Sequence, residues 1–197
     1  MSEKSLRVLI ADDESIIRMG LRTILTELGH TVLSAADGIE AVTLAQREDP
    51  DIALLDIRMP FRDGLEVAAE ILKHRPIPII ILTAYNESAL LERAAELPVQ
   101  GYLVKPVKRD DLIATMRVAI ATFNQQRQLA QKVDELEEKL TARKLIERAK
   151  GVLMKHGMGE EEAYHHIQMT ARSRRTTMSK IAQEIIDRAL RSGELRH

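Results

Sequence analysis

The chain is 197 residues long, contains no cysteine and carries a net charge of −1. Without cysteine it cannot form disulfides or thiolate metal sites, and its N-terminus lacks the apolar core of a signal peptide, so we expect a cytoplasmic protein. No apolar stretch approaches the roughly 20 residues that span a bilayer, which excludes a membrane-spanning protein. The length suits one domain of about 120 residues followed by a smaller unit.

The first 120 residues alternate between strand-like and helix-like segments. Runs rich in Val, Ile and Leu predict five strands, near 6–11, 31–35, 51–55, 78–83 and 102–104. The first, third and fourth of these runs are apolar enough to be buried on both faces. Helical spacing predicts helices over 15–28 and 64–74, ended by Gly29 and Pro76. The alternation predicts an α/β fold with a doubly wound, five-stranded parallel sheet in the order 2-1-3-4-5.

Five chemically active side chains stand where strands are predicted to end. Asp12 and Asp13 come after the first strand, Asp56 closes the third, Thr83 closes the fourth, and Lys105 comes after the fifth. The carboxyl ends of parallel strands share one edge, and an open α/β sheet binds its ligand at that edge. A single Asp in such a place is often only a helix cap. Five such residues in this order instead predict one pocket.

The residue types in this pocket indicate phosphoryl transfer. Mg²⁺ binds oxygen ligands, and one or two carboxylates together with a substrate phosphate make a normal site. Asp12, Asp13 and Asp56 could supply these carboxylates. Asp56 can attack phosphorus and become an acyl phosphate. Lys105 can pair with the carboxylate or the transferred group, and Thr83 can donate a hydrogen bond to a phosphoryl oxygen.

The motifs around these residues resemble the receiver domain of two-component response regulators. The matching segments within residues 6–120 are Ala11–Glu14, Leu55–Pro60, Asp63–Gly64, Leu82–Ala84 and Gly101–Pro106. The resemblance implies that Asp56 is the phosphoacceptor and that a sensor histidine kinase is the partner. It also implies that Asp13, Asp56 and the carbonyl of Arg58 ligate Mg²⁺, with Asp12 more peripheral. A cis peptide at Lys105-Pro106 and a switch pair of Thr83 and Tyr102 are implied as well.

Phosphatases of the haloacid dehalogenase type are a competing class, because they also phosphorylate an Asp after a strand. Those enzymes carry a second Asp two residues beyond the nucleophile as acid and base, whereas this chain has Arg58 there. We therefore expect a self-catalysed phosphoacceptor and not an enzyme that turns over.

A long helix is predicted from about 109 to 155, because neither Gly nor Pro interrupts residues 107 to 150. Within it Leu129, Val133, Leu136 and Leu140 step by four, three and four residues, the spacing of a coiled-coil seam. The seam predicts a parallel homodimer, which we expect on activation. The alternative is an amphipathic helix that packs on its own chain.

The last 55 residues predict a small three-helix unit. Its first helix is the end of the long helix, which stops at Lys155-His156-Gly157. The second begins at Glu160–Glu162 and is expected to bury Tyr164 with its apolar face. Thr176 or Thr177 caps the third. His156, His165 and His166 do not have zinc-ligand spacing and are expected on the surface.

Charge is uneven along the chain and points to a polyanion at its end. Residues 141–197 hold 12 Lys and Arg against 7 Asp and Glu, a net of +5, and residues 1–140 hold a net of −6. A solvated basic surface is the alternative to a binding surface. The predicted basic patch consists of Arg148, Lys150, Arg172, Arg174 and Arg175, which could track phosphates and stack on loop bases.

The same segment resembles the ANTAR domain of transcription antiterminators, on the residues Arg143–Met154, Gly157, Ala163-Tyr164, Ile167, Ala171, Arg174–Met178 and Ala182. The resemblance implies a three-helix bundle that binds paired RNA hairpins in a nascent leader. Many members of that family have Asn near Arg175. A DNA-binding helix-turn-helix is the alternative, although no turn Gly lies between Ser173 and Thr177, and a protein-interaction output is a third.

Taken together, the sequence predicts three segments: a receiver domain over 1–122, a helical linker over 123–142 and an RNA-binding domain over 143–197. The predicted function is that of a phosphorylation-controlled transcription antiterminator.

Overall fold

The computed structural model describes residues 5–84 and 97–191. The chain divides into two compact units, residues 1–127 and 128–197. The division falls inside the segment 123–142 that the sequence predicts as a linker.

The first unit is a parallel sheet flanked by helices. Its strands are β1 (Arg7–Ala11), β2 (Thr31–Ala35), β3 (Ile52–Asp56), β4 (Ile79–Thr83) and β5 (Gly101–Val104), and its helices include α1 (Ser15–Glu27), α2 (Gly38–Glu48) and α3 (Gly64–His74). All pairings are parallel and the order is β2-β1-β3-β4-β5. The predicted fold class and strand order are therefore confirmed, and most element ends fall within one residue of the predicted ones.

The core explains why three strands read as continuous apolar runs. Side chains of a strand point alternately to opposite faces, and both faces of β1, β3 and β4 are covered. One face, represented by Leu9 and Leu55, packs with α2 and α3 residues. The other face, represented by Ile10 and Leu54, packs with α1 and with the start of the helix that follows β5, where Leu112 is fully buried. The strand ends are thereby held rigidly at one edge.

The long helix, α4, runs from Arg109 to Lys155 as predicted. The seam residues Leu129, Val133, Leu136 and Leu140 are 53–64 % exposed. Within residues 5–84 and 97–191, the seam is therefore left mostly uncovered.

The second unit is a three-helix arrangement formed by the end of α4, α5 (Glu160–Ser173) and α6 (Met178–Arg191). Gly157 ends α4 with a φ of +92°, a left-handed conformation that favours glycine. Thr177 caps α6, because its Oγ1 accepts from Lys180 N at 3.3 Å. The buried residues are small or branched and come from all three helices: Ala149, Leu153, Ala163, Ile167, Ala171, Ile181, Ala182 and Ile186.

Tyr164 is not part of this core, so that expectation is wrong. The buried positions of α5 are Ala163, Ile167 and Ala171, which repeat every four residues. Tyr164 lies one residue beyond this row, about 100° around the helix, and is 44 % exposed.

Within the described ranges, no helix is both long enough and apolar enough to cross a membrane.

Candidate functional site

The strand ends bring Asp12, Asp56 and Lys105 into direct contact. The Lys105 ammonium lies 2.8 Å from Asp12 Oδ2 and 2.9 Å from Asp56 Oδ1. Asp12 is fully buried and Asp56 is 5 % exposed. The Lys105-Pro106 peptide is cis, as the resemblance implies. A partly buried lysine that bridges two buried carboxylates is suited to neutralise negative charge gathered at this edge.

Backbone contacts fix the loop that carries Asp12 and Asp13. The amide of Glu14 donates to Asp12 Oδ1 at 2.9 Å. From α1, Arg18 Nη1 donates to the backbone carbonyl oxygens of Asp12 at 2.8 Å and Asp13 at 3.0 Å. The sequence did not single out Arg18; its position within α1 carries no signal that it reaches back to this loop.

Gly64 allows α3 to begin directly beside Asp56. Its amide donates to the Ile57 carbonyl at 2.9 Å, and a Cβ at this position would lie 2.0 Å from the Asp56 carbonyl oxygen. Any other residue would force the β3–α3 loop away from the site. The Asp63 side chain then caps α3 by accepting from Glu66 N at 2.8 Å.

The three predicted acidic residues form a cluster suited to a divalent cation. One carboxylate oxygen from each of Asp12, Asp13 and Asp56 lies within 4.8 Å of the others. Asp12 Oδ2 is buried and, although close to Lys105, accepts no well-directed hydrogen bond. Arg58 lines a surface cleft together with Asp13. An all-oxygen donor set with a buried, under-bonded carboxylate oxygen fits a hard cation such as Mg²⁺.

Burial is the main influence on the charge state of Asp56. The pKa of Asp56 is raised from 3.8 to about 6: removal from solvent is the largest cause, Lys105 lowers the pKa, and the charges of Asp12 and Asp13 raise it. For Lys105, burial opposes the charged form, but Asp12 and Asp56 outweigh it, so the pKa of this lysine is raised. Near neutral pH, Lys105 is therefore an ammonium and Asp56 is a carboxylate whose charge is costly to keep in this buried position.

A pH dependence of stability follows for the metal-free protein. Because the folded pKa of Asp56 lies above its unfolded value, the folded state holds this proton more tightly, and stability falls as pH rises from about 4 to about 6. The loss is at most about 3 kcal/mol for a shift of this size. We expect Asp56→Asn to unfold at a higher temperature than wild type at pH 7.5 in chelator, with little difference at pH 4.5.

Thermal unfolding followed by circular dichroism measures this, with Asp37→Asn, a change in the partly exposed cap of α2, as control. A difference between Asp56→Asn and wild type that is equal at both pH values would contradict the role of the Asp56 charge.

The predicted switch residues flank the site on neighbouring strands. Thr83, at the end of β4, is 3 % exposed, and its Oγ1 donates to the Ala84 carbonyl at 3.1 Å. Tyr102, on β5, is 39 % exposed, and partial burial raises its pKa. The pairing of Ile81 with Tyr102 and of Thr83 with Val104 places the two residues on adjacent strands.

In the second unit, four of the five predicted basic residues are exposed: Arg148, Arg172, Arg174 and Arg175. Arg174 pairs with Glu184 at 2.9 Å. Arg175 has a φ of +51°, which makes the tight turn before α6 without a glycine. Asn is one of the few residues that adopt this conformation readily, which agrees with the Asn found near this position in the family it resembles.

Lys150 differs from these exposed cations because its side chain is buried and paired, so only its contact with RNA stays a prediction. It is 8 % exposed, because it lies beside buried Ala149 on the inward side of α4. Its ammonium contacts Glu160 at 2.8 Å and Glu147 at 3.1 Å. Both acids raise the pKa of Lys150, and Lys150 in turn lowers the pKa of Glu160. Lys150 thus joins α4 to the first turn of α5.

We therefore expect Lys150→Ala to lower the unfolding temperature of the second unit more than Arg148→Ala does. Lys150→Met should fall between them, because it keeps the aliphatic packing and loses only the ion pairs. Thermal unfolding by circular dichroism tests the order. If Lys150→Ala were as stable as wild type, the ammonium would not be structural.

Comparison with known proteins gives matches over both units. Residues 8–117 match the family described as response regulator receiver domain, and residues 134–186 match the ANTAR domain. The chain is 45 % identical over 183 residues to the transcriptional regulatory protein PdtaR of Mycobacterium tuberculosis, covering 92 % of this chain and 89 % of that protein.

Two further matches cover about three fifths of this chain. The transcriptional regulatory protein YdfI of Bacillus subtilis is 41 % identical over 116 residues, which cover 58 % of this chain and 54 % of that protein. A crystal structure of the signal receiver domain of a modulated diguanylate cyclase from Desulfovibrio desulfuricans superposes with a TM-score of 0.59 at 35 % identity, covering 62 % of this chain and 99 % of that one.

The carboxylate cluster with its bridging lysine lies within the receiver match, and the exposed arginines lie within the ANTAR match. The chain therefore belongs to the response regulators, as a receiver domain followed by an ANTAR domain.

Proposed function

We propose that this response regulator is a transcription antiterminator whose binding of RNA hairpins is controlled by phosphorylation of Asp56. The observation that carries the proposal is the buried contact of Lys105 with Asp56 and Asp12, in a chain whose other unit is an ANTAR domain. A sensor histidine kinase is the proposed phosphodonor. Asp56 accepts the group once per cycle, so the protein is a regulator and not an enzyme that turns over substrate.

In this proposal each residue at the strand ends has one task. The Asp56 carboxylate attacks phosphorus, and an acyl phosphate forms while the bond to the donor breaks. Lys105 is already in place to pair with the transferred group. Asp12, Asp13, Asp56 and the carbonyl of Arg58 would hold Mg²⁺, which supplies charge that screens the anionic donor from the acids. Arg18 keeps the Asp12–Asp13 loop in position.

Thr83 and Tyr102 are the proposed route from the phosphoryl group to the output. If the Thr83 hydroxyl turns toward the phosphoryl oxygen, space opens for the half-exposed Tyr102 ring to move inward, and phosphorylation biases this equilibrium. We expect Thr83→Ala to be phosphorylated like wild type. The change in RNA affinity that phosphorylation causes should be at least about tenfold smaller in this variant, which is a coupling of typical size.

Labelling of Thr83→Ala with an acyl phosphate, followed by RNA binding with and without label, measures both halves of that prediction. Thr43→Ala, an exposed α2 residue whose hydroxyl bonds only within its helix, is the matched control. A wild-type response in Thr83→Ala would exclude this route.

RNA is preferred over DNA as the proposed target because of charges on α6. In a helix-turn-helix, the third helix would enter the major groove of DNA. Here that helix carries two carboxylates, Glu184 and Asp187, which an anionic groove would repel. Arg174 bonds to Glu184, and Gln183 bonds to Asp187. The absence of a turn glycine no longer argues against DNA, since Arg175 adopts the left-handed conformation itself. The acidic helix face remains the stronger argument.

The exposed seam on α4 is the proposed contact of a homodimer. Two copies would present two ANTAR domains, which suits a target made of paired hairpins. Phosphorylation would then act by favouring this dimer.

The test is binding of the full chain to a looped RNA hairpin and to duplex DNA, each with and without acyl phosphate and Mg²⁺. We expect binding to RNA that strengthens on phosphorylation, and sensitivity to loop bases rather than to stem sequence, because an A-form stem hides its base edges. Equal or tighter binding to duplex DNA would overturn the proposal in favour of a DNA-binding output, and binding to neither would favour a protein-interaction output.

A further inference from the structure

Gly151 is a glycine that the fold does not require. It lies inside α4, is exposed, and a Cβ built on it meets nothing within 4 Å. Its φ does not lie in the left-handed range. Glycine weakens a helix interior relative to alanine, and neither packing nor backbone conformation here offsets that weakness. A surface that another molecule approaches closely would explain the missing side chain.

Three cations lie on the same helix face as Gly151, together with the exposed side chains of Glu147 and Met154. Lys144, Arg148, Gly151 and Lys155 step by four, three and four residues, which places them along one side of α4. We call these four residues the basic stripe; it extends about 16 Å along the helix axis. In the part of the chain that the structure describes, none of its three cations has a carboxylate partner.

The contacts of Lys150 reduce the negative charge beside this surface. Glu147 is the only acidic residue from 143 to 155, and it would otherwise lie unneutralised beside the stripe. Lys150 pairs with it at 3.1 Å from the inward side. Because Lys150 also pairs with Glu160 at 2.8 Å, it offsets only part of the Glu147 charge, and it is not itself available to a ligand.

We propose that the basic stripe is the surface against which the RNA backbone lies, with Gly151 letting the phosphodiester chain approach the helix backbone closely. This inference rests on the proposed RNA binding and adds a surface, on α4, to the arginines that precede α6. A polyanion is the occupant that the charges favour, because the stripe carries three unpaired cations around a gap and only one large apolar side chain, Met154, is exposed beside it.

The decisive variant is Gly151→Ala, which adds one methyl group in open space. We expect its unfolding temperature to equal or exceed that of wild type, and its affinity for a looped RNA hairpin to fall at least tenfold. Its log-log salt slope should not change, because no charge is removed. Gly20→Ala is the matched control, since Gly20 is also exposed inside a helix with nothing within 4 Å; it should gain stability and keep full RNA affinity.

Lys144→Gln/Lys155→Gln provides a second, independent measurement. This pair should weaken RNA binding and flatten the salt slope by about 1.5, whereas Lys132→Gln, an exposed cation elsewhere on α4, should bind like wild type. If Gly151→Ala proved less stable than wild type, the Lys144→Gln/Lys155→Gln variant alone would test the inference. An unchanged slope in the pair, or wild-type affinity in a stable Gly151→Ala, would overturn the inference while leaving the antiterminator proposal intact.

Two other outcomes have different meanings. If wild type binds no RNA hairpin, the proposed function fails and the inference fails with it. If Gly151→Ala changes the sedimentation of the free protein and not its RNA affinity, the stripe contacts a second copy of the chain, and the inference is overturned.

Discussion

Asp56→Asn is expected to abolish Mg²⁺-dependent labelling by a small acyl phosphate, with the labelling rate falling by at least about a thousandfold because the nucleophile itself is removed. An amide cannot attack phosphorus as a carboxylate does, yet it has nearly the same shape and can remain beside Lys105. The burial that raises the pKa of Asp56 also means that the variant should fold at least as well as wild type. Loss of labelling would then report chemistry and not unfolding.

Labelling is measured by the shift in intact mass after incubation with the acyl phosphate and Mg²⁺. Asp37→Asn controls for the general loss of an acid, since Asn can keep the cap that Asp37 provides to α2. Asp13→Asn should label more slowly and require more Mg²⁺, because one exposed member of the carboxylate cluster is lost. Undiminished labelling of Asp56→Asn would show that another side chain is the phosphoacceptor.

Arg172→Gln/Arg175→Asn is expected to lower affinity for a looped RNA hairpin at least about a hundredfold, if each contact contributes on the scale of a charged hydrogen bond. The substitutions remove both charges but preserve local structure: Gln keeps the helical propensity of α5, and Asn tolerates the positive φ at position 175. An alanine at position 175 would be strained and would confuse stability with binding.

Salt titration separates the roles of these two arginines. If both neutralise phosphates, the log-log salt slope should flatten by about 1.5, whereas a loss of affinity at constant slope would indicate stacking on loop bases. Arg174→Gln is the comparison, because Arg174 already pairs with Glu184 and should contribute less. Wild-type affinity in the double variant would exclude this turn from the RNA-binding surface.

The strand ends illustrate what the sequence determined by itself. Apolar runs separated by helices allow one parallel sheet, and parallel strands bring their carboxyl ends to one edge. The contact of Lys105 with Asp12 and Asp56, residues far apart in the chain, follows from that topology alone. Helix ends at Gly29 and Gly157 were equally predictable, since both glycines adopt a left-handed conformation that other residues avoid.

Only the tertiary structure decided which polar and aromatic side chains of the second unit face solvent. Lys150 and Tyr164 each lie at the edge of an apolar row, where helical periodicity cannot say whether a neighbouring helix covers the position. Glu160 on α5 draws Lys150 inward, and Tyr164 is left 44 % exposed. The need for Gly64 beside Asp56 and the reach of Arg18 to the Asp12 and Asp13 carbonyls were likewise invisible in the sequence. Such contacts depend on distances between elements, which local patterns of residues do not encode.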